Sequence, residues 1–178
     1  NHLDLANRVE HVEVIQPGTV QRFRELKVTA SMQPNHGTGV IGKYITPRIG
    51  EEREQFAYVW NDFLKGGVRL ALSSDFATSP FSPLVQLFDA VFRESPSGLY
   101  DGAWYPEQRI SFDEALYAYT QIGADLSGWG DQIGSITKGK WADFVILDER
   151  LRDPVGRELK DASVSKTFFA GNEVYSKN

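Results

Sequence analysis

Residues 9–37, VEHVEVIQPGTVQRFRELKVTASMQPNHG, decide the fold. Val9 to Ile15 places β-branched residues at 9, 12, 14 and 15 with polar residues between them, which predicts a strand. Pro17 suits the first turn of a helix, and Val20, Phe23 and Leu26 form its apolar stripe. Val28 to Met32 predicts a second strand, ending in Gln33-Pro34-Asn35-His36-Gly37, which reads as loop chemistry. Downstream, a long connection leads to a helix over Glu51 to Lys65, with Phe56, Val59, Trp60, Phe63 and Leu64 at helical spacing and Gly66-Gly67 ending it. Val68 to Leu72 is then a short apolar strand running into Ser73-Ser74-Asp75, and Pro83 to Phe92 is helical. This alternation predicts an α/β fold with parallel strands.

The later sequence reads differently. Ser95 to Gln108 predicts a surface loop, and Ser111 with Glu114 forms a capping box before a further helix. Beyond about residue 134 come strands at Phe144 to Leu147 and Val164 to Ala170, with Gly171-Asn172 turning into Glu173-Val174-Tyr175. The expected organisation is an α/β body over residues 1–133 and a small β unit over 134–178.

Composition narrows the function. The chain has 178 residues, 41% of them hydrophobic and 24% charged, which suits a folded domain that buries its own core. A net charge of −5 argues against nucleic acid and anionic membranes as partners, since both call for a basic footprint. The absence of cysteine excludes disulfides, zinc–thiolate sites and cysteine nucleophiles. No apolar run reaches the roughly 20 residues of a membrane span. The start, Asn1-His2-Leu3-Asp4, has neither a Met nor a basic-plus-apolar leader, so the expectation is a cytoplasmic piece of something longer.

Three residues stand where parallel strands gather polar groups: His11 in the first strand, His36 after the second and Asp75 after the third. Carboxyl ends of parallel strands share one face, and active sites of α/β sheets and barrels lie there. Two imidazoles and a carboxylate suit a metal or an acid–base cluster. On spacing alone each also has an ordinary reading: a core histidine, a solvated loop histidine and an Asx-turn. There is no phosphate loop and no Gly-x-Ser-x-Gly elbow.

The same residues carry a resemblance. Arg8-Val9-Glu10-His11-Val12-Glu13 resembles the R-I-E-H-A-Q strand of metal-dependent amidohydrolases of the exoenzyme-regulatory-protein and N-substituted-formamide-deformylase type. Ser31-Met32-Gln33-Pro34-Asn35-His36 is similar to the group's S-M-Q-P-T-H, Arg48-Ile49-Gly50-Glu51-Glu52-Arg53 to R-L-G-E-E-R, and Ser73-Ser74-Asp75-Phe76 to G-S-D-F/W. Trp104-Tyr105-Pro106-Glu107-Gln108-Arg109 and Ala115-Leu116-Tyr117-Ala118-Tyr119 resemble its long loop and following helix. Gly134-Ser135-Ile136 with Gly139-Lys140-Trp141-Ala142-Asp143-Phe144-Val145-Ile146-Leu147-Asp148 is similar to G-S-I-x-x-G-K-x-A-D-F-V-V-L-D. In order, these motifs span nearly the whole chain.

The resemblance implies the last three βα units of a distorted (β/α)8 barrel plus part of a small β-sandwich. It implies hydrolysis of an amide-type, non-peptide C–N bond with a divalent metal, zinc, one or two ions in a complete enzyme. Carried over by position, His11 and Asp75 would be metal ligands, Asp75 also the base, and His36 and Arg48 substrate-binding groups. Tyr44, Trp104 and Tyr105 are candidates for lining a pocket for a small-molecule substrate. The chain departs from the pattern in lacking the His-x-His strand, the bridging Lys or Glu and a further histidine upstream. His2 cannot supply the last, because nine residues before His11 are too few for a crossover between parallel strands. Ser73 replaces a glycine, and the proline soon after the Asp is missing. The chain alone is therefore expected to bind metal weakly and to turn over little, and to associate with itself or with the missing N-terminal part through open strand edges. The alternative is a non-catalytic remnant serving as a binding or assembly module.

Overall fold

The computed structural model describes residues 6–94, 102–148, 150–151 and 155–177, with backbone alone at positions 40, 41, 43, 45 and 46. The chain divides into two compact units, Asn1–Tyr119 and Thr120–Asn178.

The first unit is built on a parallel sheet of order β1 (Arg8–Glu10), β2 (Thr29–Met32), β3 (Leu70–Leu72). Val9 pairs with Ala30, and Ser31 with Ala71. The central strand β2 is buried along its whole length, as a parallel strand covered on both faces must be, whereas β1 is an exposed edge. The crossover helix α1 (Thr19–Leu26) places Phe23 edge-on to Phe63 with ring centroids 5.1 Å apart.

The first strand is shorter than the run of β-branched residues predicts. It ends at Glu10, because His11 and Val12 both take left-handed backbone angles (φ 70° and 49°) and leave the ladder. Val14 then forms an isolated antiparallel bridge with Ala57.

Residues 33–50, expected as loop, are largely helical: α2 (Pro34–Thr38) and α3 (Val40–Ile49). Pro34 lies in the first turn of α2, where its missing N–H costs nothing. Tight packing accounts for the glycines, since a Cβ at Gly42 would lie 2.1 Å from the Gly37 carbonyl.

The predicted helix over 51–65 is two pieces, α4 (Glu51–Glu54) and α5 (Trp60–Lys65), separated where Ala57 pairs with Val14 and Tyr58 adopts φ 52°. Its apolar stripe still forms core: Val59, Trp60 and Phe63 are buried. Helix α6 (Pro83–Phe92) follows β3 as expected and buries Gln86 through Ala90. It ends at Arg93, whose buried guanidinium lies 4.0 Å from the Trp60 ring centroid and 4.8 Å from that of Trp104. Arg93 Nε donates to the Trp104 carbonyl (2.7 Å) and Nη1 to the Tyr58 carbonyl (2.8 Å).

The predicted loop from Ser95 lies outside the described residues as far as Asp101; from Gly102 it runs through a short 3-10 turn at Pro106–Gln108. The capping box forms as read. Glu114 accepts from the Ser111 backbone N–H (2.8 Å), and the Glu114 N–H donates to Ser111 Oγ (3.2 Å), opening α7 (Phe112–Tyr119).

The second unit holds α8 (Gln121–Leu126) and an antiparallel sheet of β4 (Phe144–Leu147), β5 (Val164–Phe169) and β6 (Asn172–Ser176). Phe144 and Phe168 stack across β4 and β5 with centroids 4.6 Å apart. The β5–β6 hairpin turns on Ala170-Gly171, one residue earlier than predicted, because both take positive φ (48° and 78°), the pair a type I′ turn requires. Asp148 accepts from Ser163 N (2.8 Å) and Lys177 Nζ (2.7 Å), and these donors hold its carboxyl below the usual carboxylate range. Among the described residues no helix is long and apolar enough to cross a membrane.

Candidate metal centre

Because β1, β2 and β3 run parallel, their carboxyl ends lie along one edge of the sheet. Each end delivers one polar side chain of interest. His11 follows β1 directly, its position set by the left-handed turn that ends that strand. His36 sits in the middle of α2, one turn beyond β2, and is 2% exposed. Asp75 lies three residues after β3, also with a left-handed backbone (φ 51°).

The three meet. One ligand atom from each of His11, His36 and Asp75 lies within 4.8 Å of the other two. The imidazoles stack, centroids 5.7 Å apart and rings 20° from parallel. Nε2 of His36 is 3.6 Å from Asp75 Oδ2, and its Nδ1 is 3.4 Å from Glu13 Oε1. These separations are ion-pair distances, and neither buried nitrogen of His36 has a hydrogen-bond partner among the described residues.

An imidazole buried in this way costs about 1–3 kcal/mol for each polar atom left unsatisfied. Such an arrangement suits a site whose ligand supplies the missing contacts. Two nitrogens and a carboxylate oxygen are a donor set that zinc and related divalent ions accept, so the residues fit a metal.

Behind the three lies a buried polar scaffold. Nδ1 of His11 donates to Gln33 Oε1 (3.0 Å), and Gln33 Nε2 donates to Ser73 Oγ (2.8 Å). On the far side of α2, the Asn35 backbone N–H donates to Gln86 Oε1 (3.1 Å) and Asn35 Nδ2 to Asp89 Oδ2 (2.7 Å). Thr38 also hydrogen-bonds Asp89. Burial pushes the Asp89 carboxyl up to about 7 against the pull of these two donors.

The structure thus brings His11, His36 and Asp75 together. His36, expected in a solvated loop, is instead buried and packed on His11, because the segment around it is helical and wholly enclosed. Arg48 is exposed in the last turn of α3, where its Nη1 donates to the Tyr44 carbonyl (3.0 Å); no described contact joins it to the three. Of the aromatic candidates, Trp104 is core, held between Tyr58 and Tyr105, while Tyr44 is exposed. Glu13 and Gln33 were not singled out in the sequence, and Ser73 only as the residue standing in place of a glycine.

The profile described as "Amidohydrolase family" matches residues 2–175. The chain belongs to the amidohydrolase family. Among curated relatives of this amidohydrolase chain, "Protein LONG AFTER FAR-RED 3" of Arabidopsis thaliana is 36% identical over 169 residues, covering 94% of this chain and 28% of the relative. "N-substituted formamide deformylase" of Arthrobacter pascens is 32% identical over 175 residues, covering 96% of this chain and 31% of the relative. The chain therefore spans less than a third of the length of these curated relatives. Among solved structures, an uncharacterized metal-dependent hydrolase from Pyrococcus furiosus superposes with a TM-score of 0.62 at 32% identity, over 75% of this chain and 26% of that one. Guanine deaminase of E. coli shares the fold, with a TM-score of 0.68 at 19% identity over 98% of this chain and 40% of that one.

Proposed function

We propose that this amidohydrolase chain is the C-terminal part of a metal-dependent hydrolase that cleaves amide-type, non-peptide C–N bonds. In this reading residues 1–133 are the last three βα units of a distorted (β/α)8 barrel, and residues 134–178 are strands of a small β-sandwich. The observation that carries the reading is the convergence of His11, His36 and Asp75 at the carboxyl ends of three parallel strands.

His11 and Asp75 would hold a divalent ion, zinc being the best match to an imidazole and a carboxylate. When bound, such an ion lowers the pKa of water and polarises a substrate carbonyl. Asp75 would take the proton from the attacking water as the C–O bond forms and then deliver it to the leaving nitrogen as the C–N bond breaks. His36 Nε2, 3.6 Å from Asp75 Oδ2, would hydrogen-bond the carbonyl oxygen. Its burial in α2 keeps it from swinging to solvent, and the stacked His11 ring sets its plane. Arg48, exposed in the last turn of α3, would bind a polar substrate group.

Two protein ligands are fewer than the three a catalytic zinc normally keeps. The isolated chain is therefore read as a weak metal binder with little or no turnover, completed by a segment that pairs with the exposed edge β1. The test is a zinc titration with amide hydrolysis measured alongside, on the chain and on the chain mixed with the upstream part of its reading frame. Weak zinc binding, lost in His11→Ala and Asp75→Ala, with turnover only in the mixture, supports the reading. No zinc binding and no turnover in the mixture favours a remnant that binds or assembles without catalysis.

A further inference from the structure

Gln33 sits at the end of the central strand with its side chain 3% exposed, and it touches both neighbouring strand ends. The structure sets its amide with Nε2 towards Ser73 and Oε1 towards His11. Nε2 can only donate, and it is spent on Ser73 Oγ at 2.8 Å. Oε1 can only accept, and it faces His11 Nδ1 at 3.0 Å. His11 must then carry its proton on Nδ1, which leaves the Nε2 lone pair free. Ser73 is held in place by its own backbone N–H, which donates to the Met32 carbonyl at 3.1 Å beside Gln33.

We infer that Gln33 is a positioning residue that fixes the Nδ1–H tautomer of His11 and so leaves its Nε2 lone pair for the cluster it forms with His36 and Asp75. The role of that lone pair in holding a metal rests on the function proposed above; the tautomer itself does not. Were the Gln33 amide turned over, with Oε1 accepting from the Ser73 hydroxyl, it would present its NH2 to His11. His11 would then accept at Nδ1, carry its proton on Nε2 and lose the free lone pair. An outer partner that orients a metal-binding imidazole in this manner is a recurrent device, and its loss typically weakens metal binding about 10–100-fold.

The test reads the His11 ring nitrogens by long-range proton–nitrogen NMR at alkaline pH, in the metal-free chain. Gln33→Leu and Gln33→Glu are compared, with backbone amide spectra to show that each variant folds. The expected result is an Nδ1–H imidazole in the starting protein and in Gln33→Glu, whose carboxylate still accepts. Gln33→Leu is expected to move the proton to Nε2, the form free histidine favours. Zinc titration of the same variants should show a loss of about 10–100-fold for Gln33→Leu and recovery in Gln33→Glu. A His11 ring that keeps its Nδ1 proton in Gln33→Leu overturns the inference. A tautomer that responds as stated while no variant binds zinc supports the positioning role and removes the metal reading instead.

Discussion

Asn35 Nδ2 lies 2.7 Å from Asp89 Oδ2, one residue before His36 in the chain, so α6 grips α2 at the turn that carries the buried imidazole. No charged partner contributes to the environment of Asp89, which is fully buried. Burial raises its carboxyl from 3.8 to about 7, so the folded state holds a proton that the unfolded chain releases. Stability is fully present below about pH 4 for this group and declines as pH rises towards 7, because the folded state binds more protons in that interval. The expected loss is about 4 kcal/mol in all, of which about 2–3 kcal/mol falls between about pH 5 and about pH 8. Urea unfolding at about pH 5 and about pH 8 should show the fall, and Asp89→Asn should flatten it.

The two strand-end ligands and the imidazole between them should separate by role. His11→Ala and Asp75→Ala are expected to lower zinc affinity by at least about 10-fold, and His36→Ala by less, since losses of outer partners already span about 10–100-fold. Calorimetric titration reads the difference. An equal loss in all three would make His36 a ligand rather than a substrate contact.

Arg93 should be costly to replace. Its Nε and Nη1 satisfy the Trp104 and Tyr58 carbonyls inside the core, and its plane rests on Trp60. Arg93→Leu strands two buried carbonyls at roughly 1–3 kcal/mol each. Arg93→Lys recovers little, because an ammonium lacks the planar fork. Chemical denaturation of both variants gives the comparison.

Ser111→Ala removes the N-terminal cap of α7 and leaves the Glu114 backbone N–H without its acceptor. The expected cost is about 1 kcal/mol, read as a lower Tm. Glu114→Gln should retain most of the cap, because the box accepts either side chain.

The parallel sheet and the meeting of His11 with Asp75 were legible because strand alternation and strand polarity together dictate which ends coincide. The capping box and α6 were legible because Ser111–Glu114 and Pro83 are local signals that no distant contact contradicts. The helical course of residues 34–49 was not. Pro34 and Pro47 punctuate a sequence as loop residues do, yet one occupies a first turn and the other is accommodated inside α3. The break between α4 and α5 was hidden for the opposite reason. The apolar stripe is real and buried, but a bridge from Val14 to Ala57 interrupts the backbone that carries it. The Gln33–Ser73 contact joins residues 40 apart in sequence, and only the register of β2 against β3 makes them neighbours.

His11 and Asp75 both hold left-handed backbone angles, a conformation that costs an ordinary L-residue about 1–2 kcal/mol. Glycine would relieve that cost at either position. A laboratory selection for heat resistance alone would thus be drawn towards glycine at 11 and 75, producing hardier descendants that have lost their ion-holding groups. Any such campaign needs a second screen that rewards ion capture.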